Sequence, residues 1–567
     1  MFDIIKNEKK ILIFLLGLFL VNLYFFFLKQ GSLTIDVGRE FYIPWQMLKG
    51  AVLYKDIFNI YGPLAYQINS AAYFLFGQKI FTLYAFSVLN SIICLVFIYL
   101  ISREFLDKLI SLFITIFVLY ACAFSLGLFN YNLPYSYSMV YAFSSFLVSL
   151  WFLIRYSKDE KPLYAYISSF FAGISIACKY DYIFFPFVIG YVILFLKPLK
   201  KTDIIKCFFS FASIPILSYG ALFIQGLKME DIKYSLHLTK TMASTHSIKH
   251  LYTYYSGTYF NLKIFYAVMK NFSYLAGVFF ILFSFDTVRE KAKTKTLENF
   301  YSVIFVLLTL FSVLFFQLYK GFGFFPVFLS LIVLIFFKQI VKEPEELILY
   351  SSAIVGSFKT FFALNISMYG IFTLPLIIVS LAVFLLVTLK KKSVPDSVIA
   401  ASRTSVLFLL FAFILYYALI DFSGLKNKQH LLKTEKGVIY AEKETVSTYN
   451  KLIEFINKNV RKNEKVVVLP ETPFVNFMTS RDSDNYFNSL IPLYIETFGE
   501  DKIIDDFKQT KPEYIVINNR DTSDYGKRYM CSDYAQKFCS FVKENYSSAK
   551  IIEGQYKAII YKRKDLK

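Results

Sequence analysis

The chain has 567 residues, of which 56% are hydrophobic, and it carries a formal net charge of +20. Its apolar residues form long blocks, and about 20 such residues are enough for one helix to cross a bilayer. A soluble globular protein is therefore excluded, and six Cys are too few for a disulfide scaffold. Most Lys and Arg lie between the apolar blocks, so the positive charge does not indicate nucleic-acid binding.

Thirteen transmembrane helices are predicted from hydropathy windows of about 19 residues. They make residues 1–421 the transmembrane domain of a polytopic α-helical membrane protein. The predicted spans are 11–28, 80–102, 108–127, 133–154, 163–178, 182–197, 204–225, 264–285, 300–318, 322–341, 347–366, 370–389 and 404–421.

The short loops predict the orientation, because cytoplasmic loops are enriched in Lys and Arg. If the N-terminus is cytoplasmic, the outer short loops hold only Lys179, and the basic residues fall in the inner segments 1–10, 103–107, 155–162, 197–203, 286–299, 338–346 and 390–403. We therefore expect a cytoplasmic N-terminus. The long loops 29–79 and 227–263 and the C-terminal tail then lie outside.

The tail, residues 422–567, is predicted to be a small extracytoplasmic α/β domain. Strand-like runs are Val466–Leu469, Tyr514–Asn518 and Ala558–Tyr561, and helical patterns cover 444–459, 498–509 and 533–546. Polar segments adjoin the strand ends, where α/β domains tend to bind ligands, although Asn and Asp also form ordinary turns. These segments are Pro470–Phe474, Arg481–Ser483 and Asn518–Asp521. We interpret the tail as an acceptor-binding or structural cap.

The first outer loop contains an acid shortly after the first span. Asp36 is followed by Arg39 and Glu40, and Phe41 and Trp45 share a helical face with Leu48. This spacing predicts an interfacial helix over 38–49, with a second over 66–76. Asp36 is either the cap of the first helix or a general base, which must be ionised and within reach of a hydroxyl. A nearby cation such as Arg39 would favour the ionised form.

This loop resembles that of the GT-C integral-membrane glycosyltransferases. The resemblance rests on Asp36, on the amphipathic Arg39-Glu40 stretch and on Tyr61-Gly62-Pro63-Leu64 before the second span. Within that fold the chain is similar to the protein O-mannosyltransferases and lipid A aminoarabinose transferases. The span count, the outer loops and the outer tail are similar in layout.

The resemblance implies inverting transfer of a sugar from a polyprenyl-phosphate donor on the outer face of a bacterial inner membrane. It implies Asp36 as the general base, with Glu40 as a supporting acid, and cations around the leaving phosphate. The acceptor would be lipid A or another glycolipid, a surface polysaccharide or a protein. Candidates for substrate or phosphate binding in the same loop are Arg39, Lys55, Asp56 and Tyr61.

The chain departs from the family at two places. Tyr61-Gly62-Pro63-Leu64 replaces a Glu-Lys-Pro-Pro run whose Glu is associated with a metal, so a divalent metal stays an open possibility. Many relatives also carry an acid at the start of the fourth span, where this chain reads Asn130-Tyr131-Asn132. Glu40, Asp56 and Asp181 are then the acids available to act with Asp36.

Charged residues near other spans are further candidates. Lys179 and Asp181 close the fifth span and either face the phosphate or pair with each other, and Lys359 lies within the eleventh span. The alternative for Lys359 is a side chain that extends to the interface. His246 and His250 would share a helix face and are weak metal candidates without a placed carboxylate.

Two further questions stay open in the sequence. Cys531 and Cys539 would be about 12 Å apart in one helix, too far for a disulfide, so a bond requires Cys531 to precede the helix.

The rival functions are a lipid-linked saccharide flippase or transporter and a polysaccharide polymerase. A flippase predicts polar residues at mid-membrane depth, whereas here the polar residues concentrate on the outer face.

Overall fold

The structure is a computed structural model of the chain. It describes residues 7–256, 262–285, 288, 294–358, 369–392, 394–471, 473–487 and 489–566.

Each of the thirteen predicted spans contains a helix, and residues 359–366 of the eleventh span lie outside the described residues. Among the described residues, nine helices are long and apolar enough to cross a membrane: Glu8–Phe26, Ile80–Arg103, Tyr137–Asp159, Lys201–Ile224, Phe265–Phe283, Lys295–Phe315, Leu318–Ile335, Leu374–Lys392 and Asp396–Asn427. The other four are shorter: Lys108–Ala123, Pro162–Cys178, Tyr180–Leu196 and Pro344–Gly356. The fold is therefore a polytopic helical bundle, as predicted.

The helix Tyr137–Asp159 forms the centre of the bundle. It begins after Ser136, whose hydroxyl accepts a hydrogen bond from the Met139 amide at 3.4 Å, as expected of an N-cap. It ends at Glu160, which adopts a left-handed conformation. It packs against Ile80–Arg103, Pro162–Cys178 and Pro344–Gly356, so most of its residues are buried.

The segments predicted to face one side of the membrane lie together. Ion pairs join the predicted inner segments: Arg103–Glu8 at 3.0 Å, Lys158–Glu104 at 2.8 Å and Arg403–Asp107 at 3.0 Å. The predicted outer loops contact one another and the tail instead. The bundle therefore has one basic end and one end covered by folded loops.

Both long loops are largely helical. The first contains Val37–Leu48 and Leu64–Phe76, and the second contains Met229–Ser244 and His246–Ser256. The second loop contacts the tail where the amide and hydroxyl of Ser247 donate to the Glu496 carboxylate at 3.0 and 2.9 Å. The two loops and the tail therefore form a continuous cap on this end of the bundle.

The tail contains a hairpin and a mixed four-stranded sheet. The hairpin pairs β1 (His430–Thr434) with β2 (Gly437–Ala441). The sheet has the order β3-β4-β6-β5, in which β3 is Val466–Leu469, β4 is Tyr514–Asn518, β6 is Ala558–Arg563 and β5 is Tyr546–Ile552. Strand β3 is parallel to β4, and β6 is antiparallel to both of its neighbours, β4 and β5. Its helices are Lys443–Asn459, Pro473–Thr479, Pro492–Phe498, Glu500–Thr510 and Gln536–Asn545. The three strands and three helices predicted for the tail are all present, whereas β5, the hairpin and the two shortest helices were not predicted.

The aromatic face of Val37–Leu48 packs against the tail. Phe41 and Trp45 are 0% and 2% exposed, and the ring of Phe41 stacks on that of Phe477 at 5.5 Å. The Tyr42 hydroxyl and the Ser483 Oγ are 2.7 Å apart. The prediction that this face lies on the membrane is therefore wrong, because an aromatic stripe can be buried equally well by a protein surface.

Gly38 permits this close contact. A Cβ atom at Gly38 would lie 2.7 Å from the backbone nitrogen of Phe474 and 2.8 Å from its Cβ. Only a residue without a side chain lets the two helices approach to this distance. The junction between transmembrane domain and tail thus depends on one glycine.

Cys531 and Cys539 form a disulfide with a Cα–Cα distance of 5.5 Å. The helix Gln536–Asn545 begins after Cys531, so the two residues are not held a helical distance apart. Cys531 therefore precedes the helix, which is the arrangement that a disulfide between these two residues requires.

Gly38→Ala is expected to loosen the tail. The new methyl group would meet backbone atoms that cannot move independently, and such overpacking typically costs about 1–3 kcal/mol. Limited proteolysis of the purified protein should cleave the variant faster in the segment 425–430, which joins the last span to β1.

The matched control is Gly220→Ala, because a Cβ at Gly220 meets no atom within 4 Å. This variant should be cleaved at the wild-type rate. Equal cleavage rates for the two variants would contradict a role of Gly38 in docking the tail.

Candidate functional site

A cavity of about 440 Å³ lies between the transmembrane domain and the tail. The first loop contributes Asp36, Arg39 and Tyr61 to its wall. Residues of the second loop and the loop 128–135 enclose it further, and the tail contributes Glu471, Tyr494, Asp524 and Tyr525. Its size is in the usual range for small-ligand pockets, and its charged residues come from both domains.

Asp36 presents its carboxylate to this cavity. It occupies the N-cap position of Val37–Leu48, but its side chain makes no capping hydrogen bond. Its Oδ1 instead lies 2.8 Å from Nη1 of Arg39, and its side chain is 22% exposed. Its backbone has a φ of 54°, which is unfavourable for a residue with a side chain. Such strain is typical of functional sites.

Arg39 connects the parts of the site. Besides Asp36, its Nε lies 3.2 Å from Glu40, and its Nη2 donates to the Tyr135 carbonyl at 3.1 Å. Burial acts to lower the pKa of Arg39, but the charge of Asp36, followed by the other nearby acidic groups, outweighs it and raises that pKa. The guanidinium therefore stays charged beside the cavity.

Glu40 is fully buried and does not line the cavity. Its Oε1 accepts from Arg39 and from the Tyr66 hydroxyl at 3.0 Å, and its Oε2 accepts from the Tyr137 amide at 2.7 Å. Burial raises the pKa of Glu40, and Arg39 offsets this only in part. Glu40 therefore contacts Arg39 from behind the cavity wall.

Lys179 lies behind two tyrosines of the cavity wall. Its ammonium group is 4.4 Å from the centre of the Tyr61 ring and donates to the Tyr135 hydroxyl at 2.9 Å. The chain after Tyr61 packs closely on the end of the helix Pro162–Cys178, because a Cβ at Gly62 would lie 2.1 Å from the Ala177 carbonyl oxygen. Gly62 therefore brings Tyr61 close to Lys179.

The remaining sequence candidates lie elsewhere. Lys55 and Asp56 are exposed and do not line the cavity, and Asp56 accepts from the Val52 amide at 2.8 Å, as in a turn. Asp181 lies in the 3₁₀ turn Tyr180–Tyr182 and is also absent from the cavity wall. Lys359 lies outside the described residues.

The histidine pair lies on the surface of the second outer loop. His246 and His250 lie on the helix His246–Ser256 and are exposed. In the described part of the chain, no three His, Cys, Asp or Glu side chains are grouped as they would be to hold a metal.

The tail supplies charged residues that the sequence did not connect with Asp36. Glu471 follows β3, and Arg520 and Asp524 follow β4, so they meet at the carboxyl edge of two parallel strands. Glu471 forms a buried ion pair with Arg520, and its Oε1 accepts from the Asp36 amide at 3.4 Å. Burial raises the pKa of Glu471, and Arg520 opposes this shift. Glu471 and Arg520 belong to the polar segments that the sequence analysis placed at strand ends, whereas Asp524 lies beyond them.

Glu40→Gln is expected to destabilise the protein by about 2–3 kcal/mol. Both Glu40 oxygens accept hydrogen bonds, and an amide would turn one acceptor into a donor that faces another N–H donor. Chemical unfolding in detergent measures the loss.

The control is Glu8→Gln, which removes one charge from a more exposed pair with Arg103. Exposed pairs are worth at most about 1 kcal/mol. Similar losses for both variants would refute the structural role assigned to Glu40.

Comparison with known proteins gives one family match. Residues 61–219 match the family model described as dolichyl-phosphate-mannose-protein mannosyltransferase. The match covers about a quarter of the chain, from Tyr61 at the cavity into the helix Lys201–Ile224. No curated protein matches the chain.

Two solved structures are similar in outline. ArnT from Cupriavidus metallidurans, bound to undecaprenyl phosphate, has 9% identity and a TM-score of 0.47, over 99% of each chain. The archaeal oligosaccharyltransferase AglB from Archaeoglobus fulgidus, in complex with an inhibitory peptide and a dolichol-phosphate, has 11% identity and a TM-score of 0.45, over 89% of this chain and 69% of that one. At such values neither structure assigns an activity. The family match shows that residues 61–219 are similar to the dolichyl-phosphate-mannose-protein mannosyltransferases.

Proposed function

We propose that the protein transfers a sugar from a polyprenyl-phosphate donor to an acceptor hydroxyl, with Asp36 as the general base. One observation carries the proposal. The Asp36 carboxylate lines a cavity beside Arg39 and is not used to cap its helix. A base needs this position, within reach of a substrate and next to a cation that stabilises its charge.

The proposed step inverts the anomeric carbon. Asp36 takes the proton of the acceptor hydroxyl, and the acceptor oxygen forms a bond to that carbon. The bond between the carbon and the phosphate oxygen breaks on the opposite side, and its electrons leave with the lipid phosphate. The step therefore needs a base on the acceptor side and positive charge on the phosphate side.

Arg39 is the proposed contact for the phosphate. Its guanidinium lines the cavity and is oriented by Glu40 and the Tyr135 carbonyl. Lys179 supports this side from behind, because it holds Tyr135 by a hydrogen bond and lies on the face of Tyr61. Fixed cations of this kind stabilise the charge that develops on a leaving phosphate.

The orientation belongs to the same proposal. The basic end of the bundle would face the cytoplasm, and the cavity and tail would face outward from a bacterial inner membrane. Residues 1–421 would bind the lipid donor, and residues 422–567 would close the cavity over it. No step of this reaction is assigned to a metal.

Asp36→Asn is expected to lower sugar transfer at least 100-fold, because an amide cannot accept the proton. Membranes that contain the protein would be supplied with radiolabelled polyprenyl-phosphate sugars and a total lipid extract. Binding of polyprenyl phosphate to the purified variant should persist, since the cations remain.

The control is Asp159→Asn, which removes an acid from the basic end of the central helix, where Asp159 pairs with Arg155. It should keep wild-type activity. Transfer that survives in Asp36→Asn would reject Asp36 as the base. An intact wild-type protein without transfer from any donor would favour the flippase alternative.

Lys179→Met is expected to lower kcat for sugar transfer about tenfold, with a smaller change in the KM for the donor, because Lys179 supports the residues around the developing phosphate charge. A hydrogen bond from a charged group is worth about 1.5–3 kcal/mol, and about 1.4 kcal/mol corresponds to a factor of ten. Lys55→Met is the control, because Lys55 is an exposed lysine of the first loop outside the cavity. An equal change in both variants would indicate an effect of net charge alone.

A further inference from the structure

The tail forms one complete side of the cavity. Glu471 follows β3, and Asp524 and Tyr525 lie in the turn Ser523–Tyr525 that follows β4. Tyr494, from the helix Pro492–Phe498, completes this side. The tail is therefore more than a lid, because its side chains are part of the wall that a second substrate would meet.

The two sides of the cavity differ in charge. Arg39, with Lys179 behind Tyr61, makes the transmembrane side cationic. On the tail side, Arg520 is already paired with Glu471, so the Asp524 carboxylate adds negative charge there. Burial raises the pKa of Asp524, and the charge of Arg520 opposes that shift. Asp36 lies between the two sides, so a group that it deprotonates can come from the tail side.

The chemistry of the tail side suits a polyhydroxyl ligand. A carboxylate accepts several hydrogen bonds, and tyrosine rings present an apolar face with a polar edge. Asp524, Tyr494 and Tyr525 therefore offer acceptors beside apolar surface. An anionic acceptor would be repelled by Asp524, and would be drawn to the cationic side instead.

The segment that carries Asp524 is held in place before any ligand binds. The Thr522 hydroxyl donates to the Lys527 carbonyl at 2.7 Å, and the Ser523 amide donates to Asp521 at 2.9 Å. The Cys531–Cys539 disulfide fixes the next part of the chain. A preorganised wall lowers the entropic cost of binding a small ligand.

We propose that this tail side is the acceptor subsite and that its acceptor is a saccharide, bound by the Asp524 carboxylate and packed against Tyr494 and Tyr525. The inference rests on the proposed function. Glu471 is a positioning residue in it, because it accepts from the Asp36 amide and does not itself bind the sugar. The acceptor hydroxyl then points across the cavity to Asp36.

The test separates the acceptor from the donor. Purified protein in nanodiscs would receive a labelled polyprenyl-phosphate sugar with a panel of methyl glycosides, or with a peptide rich in Ser and Thr. We expect label in the glycosides. Asp524→Asn should raise the KM for the glycoside at least tenfold and the KM for the donor by much less.

Asp505→Asn is the matched control, because Asp505 is an exposed tail acid paired with Lys508 on the helix Glu500–Thr510. It should behave as wild type. Asp524→Glu should restore part of the glycoside affinity if the carboxylate is what matters. Saturation-transfer NMR with the same methyl glycosides provides a readout that does not depend on turnover.

The outcomes distinguish the two proposals. Label in the peptide and not in the glycosides, or hydrolysis of the donor without transfer to any glycoside, would overturn the saccharide subsite and leave the proposed function standing. An equal rise in the KM for the donor in Asp524→Asn would also overturn the subsite. A wild-type protein that neither hydrolyses nor transfers the donor sugar would overturn the proposed function itself.

Discussion

The partly buried guanidinium of Arg39 makes the contacts on which the outer end of the molecule depends. It holds Asp36 at the cavity, contacts Glu40 behind it and donates to the backbone at Tyr135. Glu40 in turn accepts from the Tyr137 amide at the start of the central helix. A charge that is largely withdrawn from water needs partners, and these contacts hold the first loop, the loop before Tyr137 and the cavity wall in one arrangement.

The tail is the second constraint on the same loop. Phe41 and Trp45 pack against its Phe477, and Gly38 lets the backbone of Phe474 approach. Asp36 thus lies between two anchors, the Arg39 network on one side and the tail helix on the other. A strained backbone persists only where the surroundings fix it from several directions, and here the two domains share that task.

Many features of the fold follow from local sequence. The spans are set by apolar blocks, and β3 and β4 have the bounds that their apolar runs predict. The first-loop pattern also singled out Asp36 and Arg39, because an acid just before a helix and a cation in its first turn are close enough to pair locally. Lys55 and Asp56 are a neighbouring cation and acid of the same loop, but they lie in a turn outside the cavity.

The sequence by itself determined the helical bundle, the α/β tail and the acid of the first loop, since each depends on residues near one another in the chain. Only the tertiary structure decided that the aromatic face of Phe41 and Trp45 meets the tail, because burial by lipid and burial by protein require the same apolar pattern. It also decided that Glu471 lies beside Asp36. That contact joins residues 435 positions apart, and no local spacing records it.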